Sequence, residues 1–156
     1  DAYEGWTKDD AGEVRGATWA EFDLEKAVWT VPAERMKAGR EHRVPLTAPA
    51  LALLAALPKG KADEPVFAAP RGGQLSDMTL TAVMRRMALE AVPHGFRSSF
   101  RDWAAERTNY PAEVAEMALA HAVGDKVEAA YRRGDLFEKR RQMMADWAEF
   151  LAKAPG

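Results

Sequence analysis

The chain contains no cysteine among its 156 residues, which excludes disulfides and thiolate metal sites. Histidine is scarce too. His42, His94 and His121 lie far apart in sequence and argue against a metal centre. No hydrophobic run approaches the length of a membrane span, and the first residues lack a signal-peptide pattern. No internal repeat or low-complexity tract occurs. These absences lead us to expect a cytoplasmic protein with no membrane contact and no cofactor. A large excess of charge is also missing: the net charge is −2, which argues against indiscriminate coating of a polyanion. Local density still counts. Arg35, Lys37, Arg40 and Arg43 crowd one stretch, and Arg85, Arg86, Arg97, Arg101 and Arg107 crowd another. Either one basic face or scattered solubilising charge accounts for them.

The hydrophobic fraction of 47% is ordinary for a folded chain, and the length fits one domain. Residues 1–10 are polar and acidic and read as a loose lead-in. Gly12 to Trp19 has the look of a short helix. Ala27–Pro32 and His42–Leu46 predict two strands of a hairpin, with Lys37-Ala38-Gly39-Arg40 as the turn. Thr47 is placed to cap a helix over Ala48–Leu57, which Pro58 and Gly60 break. Pro65–Ala68 reads either as a short strand or as an extended piece on the core.

Ser76 is placed to cap a helix in which Leu80, Val83, Met84 and Met87 form a buried stripe. A further helix carries His94, Arg97, Phe100 and Trp103. On it Phe96, Phe100 and Trp103 are expected to bury, leaving His94, Arg97 and Arg101 toward a cleft. Arg101 is expected to pair with Asp102 or Glu106. Pro111 suits the first position of the next helix, which Val114 and Met117 pack down and His121 closes. Asp125 caps a helix bearing Tyr131, and Gly134 ends it. Asp135–Lys153 is expected to be one long amphipathic helix.

Two clusters carry chemistry. His94 and Arg97 are three apart and so share a helix face. There a proton-moving group meets a fixed, forked cation, and the free N–H groups of a helix start add anion affinity. That combination suits a phosphate. Farther on, Leu119-Ala120-His121 and Ala129-Ala130-Tyr131-Arg132-Arg133 set a histidine and a tyrosine ten positions apart, with basic residues directly after the tyrosine. Each pattern alone equally describes a solvated arginine or a surface tyrosine.

In order and spacing the motifs resemble the catalytic domain of the tyrosine recombinases, most closely the phage-type integrases. The resemblance is carried by His94-Gly95-Phe96-Arg97, Phe100-Arg101-Asp102-Trp103, Leu119-Ala120-His121 and Ala130-Tyr131-Arg132-Arg133. The hairpin Arg35-Met36-Lys37 with His42-Arg43-Val44-Pro45-Leu46, and the tail Arg140-Arg141-Gln142-Met143-Met144 with Trp147, add to it. It covers nearly all of Gly12 to Leu151.

The resemblance implies an α+β fold, mainly helical, with a small antiparallel sheet near the N-terminus. It implies that Tyr131 attacks phosphorus and forms a 3′-phosphotyrosine link. Arg97 and His121 then hold the charge of the transition state. Lys37 protonates the leaving oxygen and His94 assists proton transfer. The implied partners are double-stranded DNA and further protomers in a DNA-bound synaptic assembly. Arg35, Arg40, Arg85, Arg86, Arg101 and Arg132 are the implied DNA contacts. The C-terminal helix either packs within its own chain or docks on a neighbour.

Two departures from the family pattern stand out. The family's first catalytic arginine lies two positions before the Gly-Glu pair, and here that position is Asp10. Arg15 is near but does not match. The family's N-terminal arm and core-binding domains have no counterpart here, so residues 12–156 read as the catalytic domain of a longer protein. A DNA-binding remnant that no longer cleaves is the alternative that Asp10 supports.

Overall fold

The computed structural model describes residues 12–36, 39–76, 78–87, 95–120 and 134–153. The fold is α+β, as expected: a three-stranded antiparallel sheet and, among the described residues, five α-helices longer than one turn. Residues 12–15 make a helical turn that stops at Gly16. A Cβ there would lie 2.2 Å from Nη1 of Arg35 and 3.1 Å from the Gly12 carbonyl, so only glycine lets Arg35 lie against the backbone.

The sheet has the order β1 (Phe22–Asp23), β2 (Val28–Val31), β3 (His42–Pro45). Trp29 pairs with Phe22 on one side and Val44 on the other. Phe22 and Trp29 stack with ring centroids 5.4 Å apart, a cross-strand contact of the kind that fixes register. β1 is only two residues long; Trp19, Phe22 and Leu24 are spaced for a strand ahead of the turn into β2. The β2–β3 connection carries a 3-10 turn at Ala33–Arg35 and the left-handed Gly39. Lys37 and Ala38 lie outside the described residues.

Helix α1 (Ala48–Ala56) starts where expected, with the Thr47 hydroxyl accepting from the Ala50 amide. Pro65–Ala68 forms no strand. It makes isolated bridges, Thr18 with Pro65 and Ala68 with Gln74. Helix α2 (Thr79–Arg86) corrects the expected stripe: Val83 is 41% and Met87 63% exposed. The core forms elsewhere and leaves that side in solvent. The side chains of Leu80 and Met84 lie outside the described set.

That core joins helices α3 (Gly95–Arg107), α4 (Ala112–Ala118) and α5 (Phe137–Lys153). Phe100, Trp103, Ala104, Val114, Ala115 and Met143 bury together, with Trp147 and Phe150 packed against them. Trp147 meets Phe100 edge-on at 5.5 Å and Trp103 at 5.1 Å, arrangements that add to plain area burial. Phe96 corrects a second expectation, being 61% exposed. In the first turn of α3 a side chain leans toward the helix N-terminus, past the cluster. Helix α5 begins at Phe137, not Asp135, and among the described residues it packs inside its own chain. No helix among them is long and apolar enough to cross a membrane.

Candidate active site

Of the residues singled out for chemistry, Arg97 lies within the described structure. It sits in the first turn of α3, partly buried, and its Nη2 donates to the carbonyl of Leu119 at 2.6 Å. That carbonyl closes α4. The next residue, Ala120, takes a left-handed φ of 57° and turns the chain toward His121. His94, His121, Tyr131, Lys37 and Arg132 lie outside the described residues, as does Asp10.

β3 supplies a neighbour that sequence reasoning did not assign. His42 is largely buried, near Arg140, Asp135, the Ala118 carbonyl and Arg97. Burial first, then the Arg140 charge, lower its pKa from 6.5 to about 4. It is therefore a neutral ring at physiological pH. One residue on, Arg43 holds Asp135 in a fork: Nε to Oδ2 at 2.9 Å and Nη2 to Oδ1 at 2.7 Å. Arg140, 1% exposed, donates to the Asp135 and Arg43 carbonyls. Burial works to raise the Asp135 pKa, but Arg43 and Arg140 outweigh it and hold the carboxyl below its usual value. The guanidiniums of Arg43 and Arg141 lie 4.3 and 4.8 Å from the centre of the Phe137 ring, close enough for cation–π attraction.

The signal for this cluster was present in the sequence. Phe137, Arg140, Met144 and Trp147 fall on one helical stripe, so Arg140 occupies a core position. A buried arginine needs partners for its charge, and here they are Asp135, just before α5, and the Arg43 carbonyl of β3.

The proposed polyanion contacts divide into two groups. Arg40, Arg85 and Arg86 are exposed. Arg35 is already engaged: Nε lies 3.0 Å from Oε1 of Glu21, and Nη2 donates to the Glu13 carbonyl at 2.7 Å. Arg101 is 55% exposed and pairs with Glu116 of α4 at 2.6 Å. It was expected to pair with Asp102 or Glu106 on its own helix. The partner lies across the α3–α4 packing, where local spacing gives no hint of it.

Residues 11–136 match the model of the phage integrase family, which is most of the chain, and the chain belongs to that family. It is 36% identical over 147 residues to the prophage integrase IntA of Escherichia coli strain K12, covering 91% of this chain and 35% of that protein. It is 32% identical over 161 residues to the integrase of Enterobacteria phage P4, covering 90% of this chain and 37% of that protein. Against the integrase of Shigella phage Sf6 the identity is 31% over 145 residues, with 89% and 37% covered. The chain thus spans little more than a third of the length of these relatives. No solved structure gives a significant match.

Proposed function

We propose that the protein is the catalytic part of a site-specific DNA recombinase that cuts and rejoins strands through a 3′-phosphotyrosine. The observation that carries this reading is the Arg97–Leu119 contact. It ties a forked cation on α3 to the chain two residues before His121, as a shared phosphate site for the two requires. In the reaction Tyr131 attacks phosphorus, and the 5′ oxygen leaves with a proton from Lys37. Arg97 and His121 hold the negative charge that builds on the non-bridging oxygens, and His94 assists proton transfer at the tyrosine. The ester to Tyr131 keeps the bond energy, so rejoining to another strand needs no nucleotide cofactor.

Double-stranded DNA is the substrate, held through the exposed Arg40, Arg85 and Arg86, through Arg132, and through whatever part of Arg35 and Arg101 their carboxylate partners release. Further protomers complete a synaptic assembly, with the domain running from residue 12 to the C-terminus. Phosphate contacts of this kind position the protein without choosing its sequence.

The test is covalent trapping on nicked duplexes tiled across DNA flanking the source gene. A denaturant-resistant protein–DNA adduct that disappears in Tyr131→Phe supports the reading. An adduct that persists in Tyr131→Phe overturns it. The second reading, a domain that binds DNA without cutting it, is favoured by Asp10. It predicts salt-sensitive mobility shifts and no adduct.

A further inference from the structure

Two arginines link the β2–β3 hairpin to the segment that leads into α2. Arg35 stands in the 3-10 turn just after β2. Its Nε lies 3.0 Å from Oε1 of Glu21, and its Nη2 donates to Oε2 of Glu21 at 3.1 Å and to the Glu13 carbonyl at 2.7 Å. Glu21, 9% exposed at its side chain, also accepts from Nε1 of Trp29 at 2.9 Å. Two residues past Glu13, Arg15 donates through Nη1 to the Leu75 carbonyl at 3.0 Å. Next in sequence, the Ser76 carbonyl accepts from the Thr79 amide at 3.1 Å, and the Ser76 and Thr79 hydroxyls share a hydrogen bond of 3.0 Å. The line of contacts thus reaches the first turn of α2.

Both carbonyls fall where regular structure stops. The turn over residues 12–15 ends with the Gly16 amide on Gly12 and the Ala17 amide on Val14, which passes over the Glu13 carbonyl. Leu75 lies between the Ala68–Gln74 bridge and α2.

We propose that Arg15 and Arg35 are positioning residues: with the turn between them they brace the hairpin against α2, so that Arg40, Arg85 and Arg86 meet one duplex together. The functional half rests on the reading of those three arginines as DNA contacts; the bracing itself does not.

Cations on separate elements bind one polyanion cooperatively only when their spacing is held. After one contact forms, the next depends on the effective concentration of the second group and on the ordering that binding must otherwise supply. The residue types suit a brace. A guanidinium presents its donors in a rigid plane, so Arg35 meets a carboxylate and a carbonyl at once in set directions; lysine has no such fork. Glu21 balances the charge of the partly buried Arg35, as removal from water requires. Gly16 makes room, since a Cβ there would run into Nη1 of Arg35 and come within 3.1 Å of the Gly12 carbonyl. Gly16→Ala therefore displaces the Arg35 guanidinium without altering any charge.

Because the chain has no cysteine, paired spin labels can be placed cleanly. Glu41→Cys with Met87→Cys, both at exposed positions, reads the hairpin against α2. Glu106→Cys with Ala145→Cys reads α3 against α5. Arg15→Gln and Gly16→Ala should each broaden or shift the first distance and leave the second alone. An unchanged first distance in both variants, or equal changes in both pairs, overturns the brace.

DNA affinity measures the functional half. The probe is a fluorescent duplex of mixed sequence, titrated with the chain at several salt concentrations. Each phosphate contact adds roughly 0.9 to the slope of log affinity against log salt, so Arg85→Gln with Arg86→Gln should lower that slope by roughly 2. Gly16→Ala removes no cation, yet it should lower the slope by roughly 1 or more. Added to the Arg85→Gln, Arg86→Gln chain, it should lower it no further. Arg15→Gln, read in the same two backgrounds, covers the case in which the alanine prevents folding. A slope that the brace variants leave unchanged, or a loss that persists in full without Arg85 and Arg86, overturns the positioning role. A parent that binds no duplex, or whose slope ignores Arg85 and Arg86, while the first distance still answers to Arg15→Gln, sinks the reading of the DNA face and leaves the brace standing.

Discussion

Arg97 gives one amino group to the carbonyl of Leu119 across 2.6 Å. The contact fixes where the guanidinium points, and the same group carries the charge. A residue with this double duty should tolerate no substitution that keeps charge alone.

Arg97→Lys keeps the charge and loses the fork. Lysine can reach the carbonyl or a phosphate, not both in the same geometry. In a cleavage-competent background carrying Asp10→Arg, the trapping rate should fall about 10²–10³-fold, as for loss of one transition-state donor. Affinity for the nicked duplex should change less than roughly tenfold, because other cations share the ground-state contact. Equal losses in rate and affinity would assign Arg97 to binding alone.

His42 makes stability depend on pH. Its folded pKa is about 4 against 6.5 for the free side chain. Above pH 6.5 the ring is neutral folded and unfolded, and the full stabilisation is present. As pH falls from 6.5 toward 4 the unfolded chain takes up a proton that the folded chain refuses, so stability is lost across that window. The groups facing the ring are Arg140, Asp135 and Arg97, with the Ala118 carbonyl. The loss should be of order 2–3 kcal/mol. Urea unfolding between pH 7 and 4.5 measures it, and His42→Gln should flatten the slope. An equal slope in both proteins would move the effect to another group.

Trp147 should be the costliest exposed-looking residue of α5. Its ring contacts Phe100, Trp103 and Phe150 within 5.5 Å. Trp147→Ala should destabilise by about 3–5 kcal/mol. Leu151, one turn on but 53% exposed, should cost under about 0.5 kcal/mol when changed to alanine. Chemical denaturation followed by circular dichroism gives both numbers. Similar costs would mean that the C-terminal turn is covered in solution.

Much of this architecture was legible because alternation and helical spacing are local. Val28, Trp29 and Val31 announce a strand, and Thr47 announces a cap. Burial is not local. Val83 and Met87 keep helical spacing, yet they stay in solvent because α3, α4 and α5 satisfy one another. The same limit hid the pairing of Arg101 with Glu116, which depends on how two helices cross. Arg140 stands on an apolar stripe that marks a core position, but its partners, Asp135 and the Arg43 carbonyl, lie outside the helix and do not follow from that stripe. The site divides along the same line. Tyr131, His121, His94 and Lys37 could be named from motif order, whereas His42 and Asp135 enter only through contacts between distant elements.

The last prediction concerns Asp10. Phosphoryl transfer to a tyrosine adds negative charge to oxygens already charged, so every group at the site should attract that charge or stay neutral. At the position matching the family's first arginine this chain has an aspartate. A carboxylate facing a phosphate loses a donor and adds repulsion. Arg15, the nearest candidate to stand in, already donates through Nη1 to the Leu75 carbonyl at 3.0 Å. The unaltered chain should therefore form little phosphotyrosine. Asp10→Ala removes only the repulsion and should recover a small part. Asp10→Arg restores the donor and should raise trapping by at least about 10²-fold. The three chains are compared on one nicked duplex, each with its Tyr131→Phe control, and with duplex affinity measured alongside. Efficient, Tyr131-dependent trapping by the unaltered chain would show that the charge at this position is supplied by another arginine. Equal, negligible trapping by all three, with salt-sensitive binding intact, would favour the domain that binds without cutting.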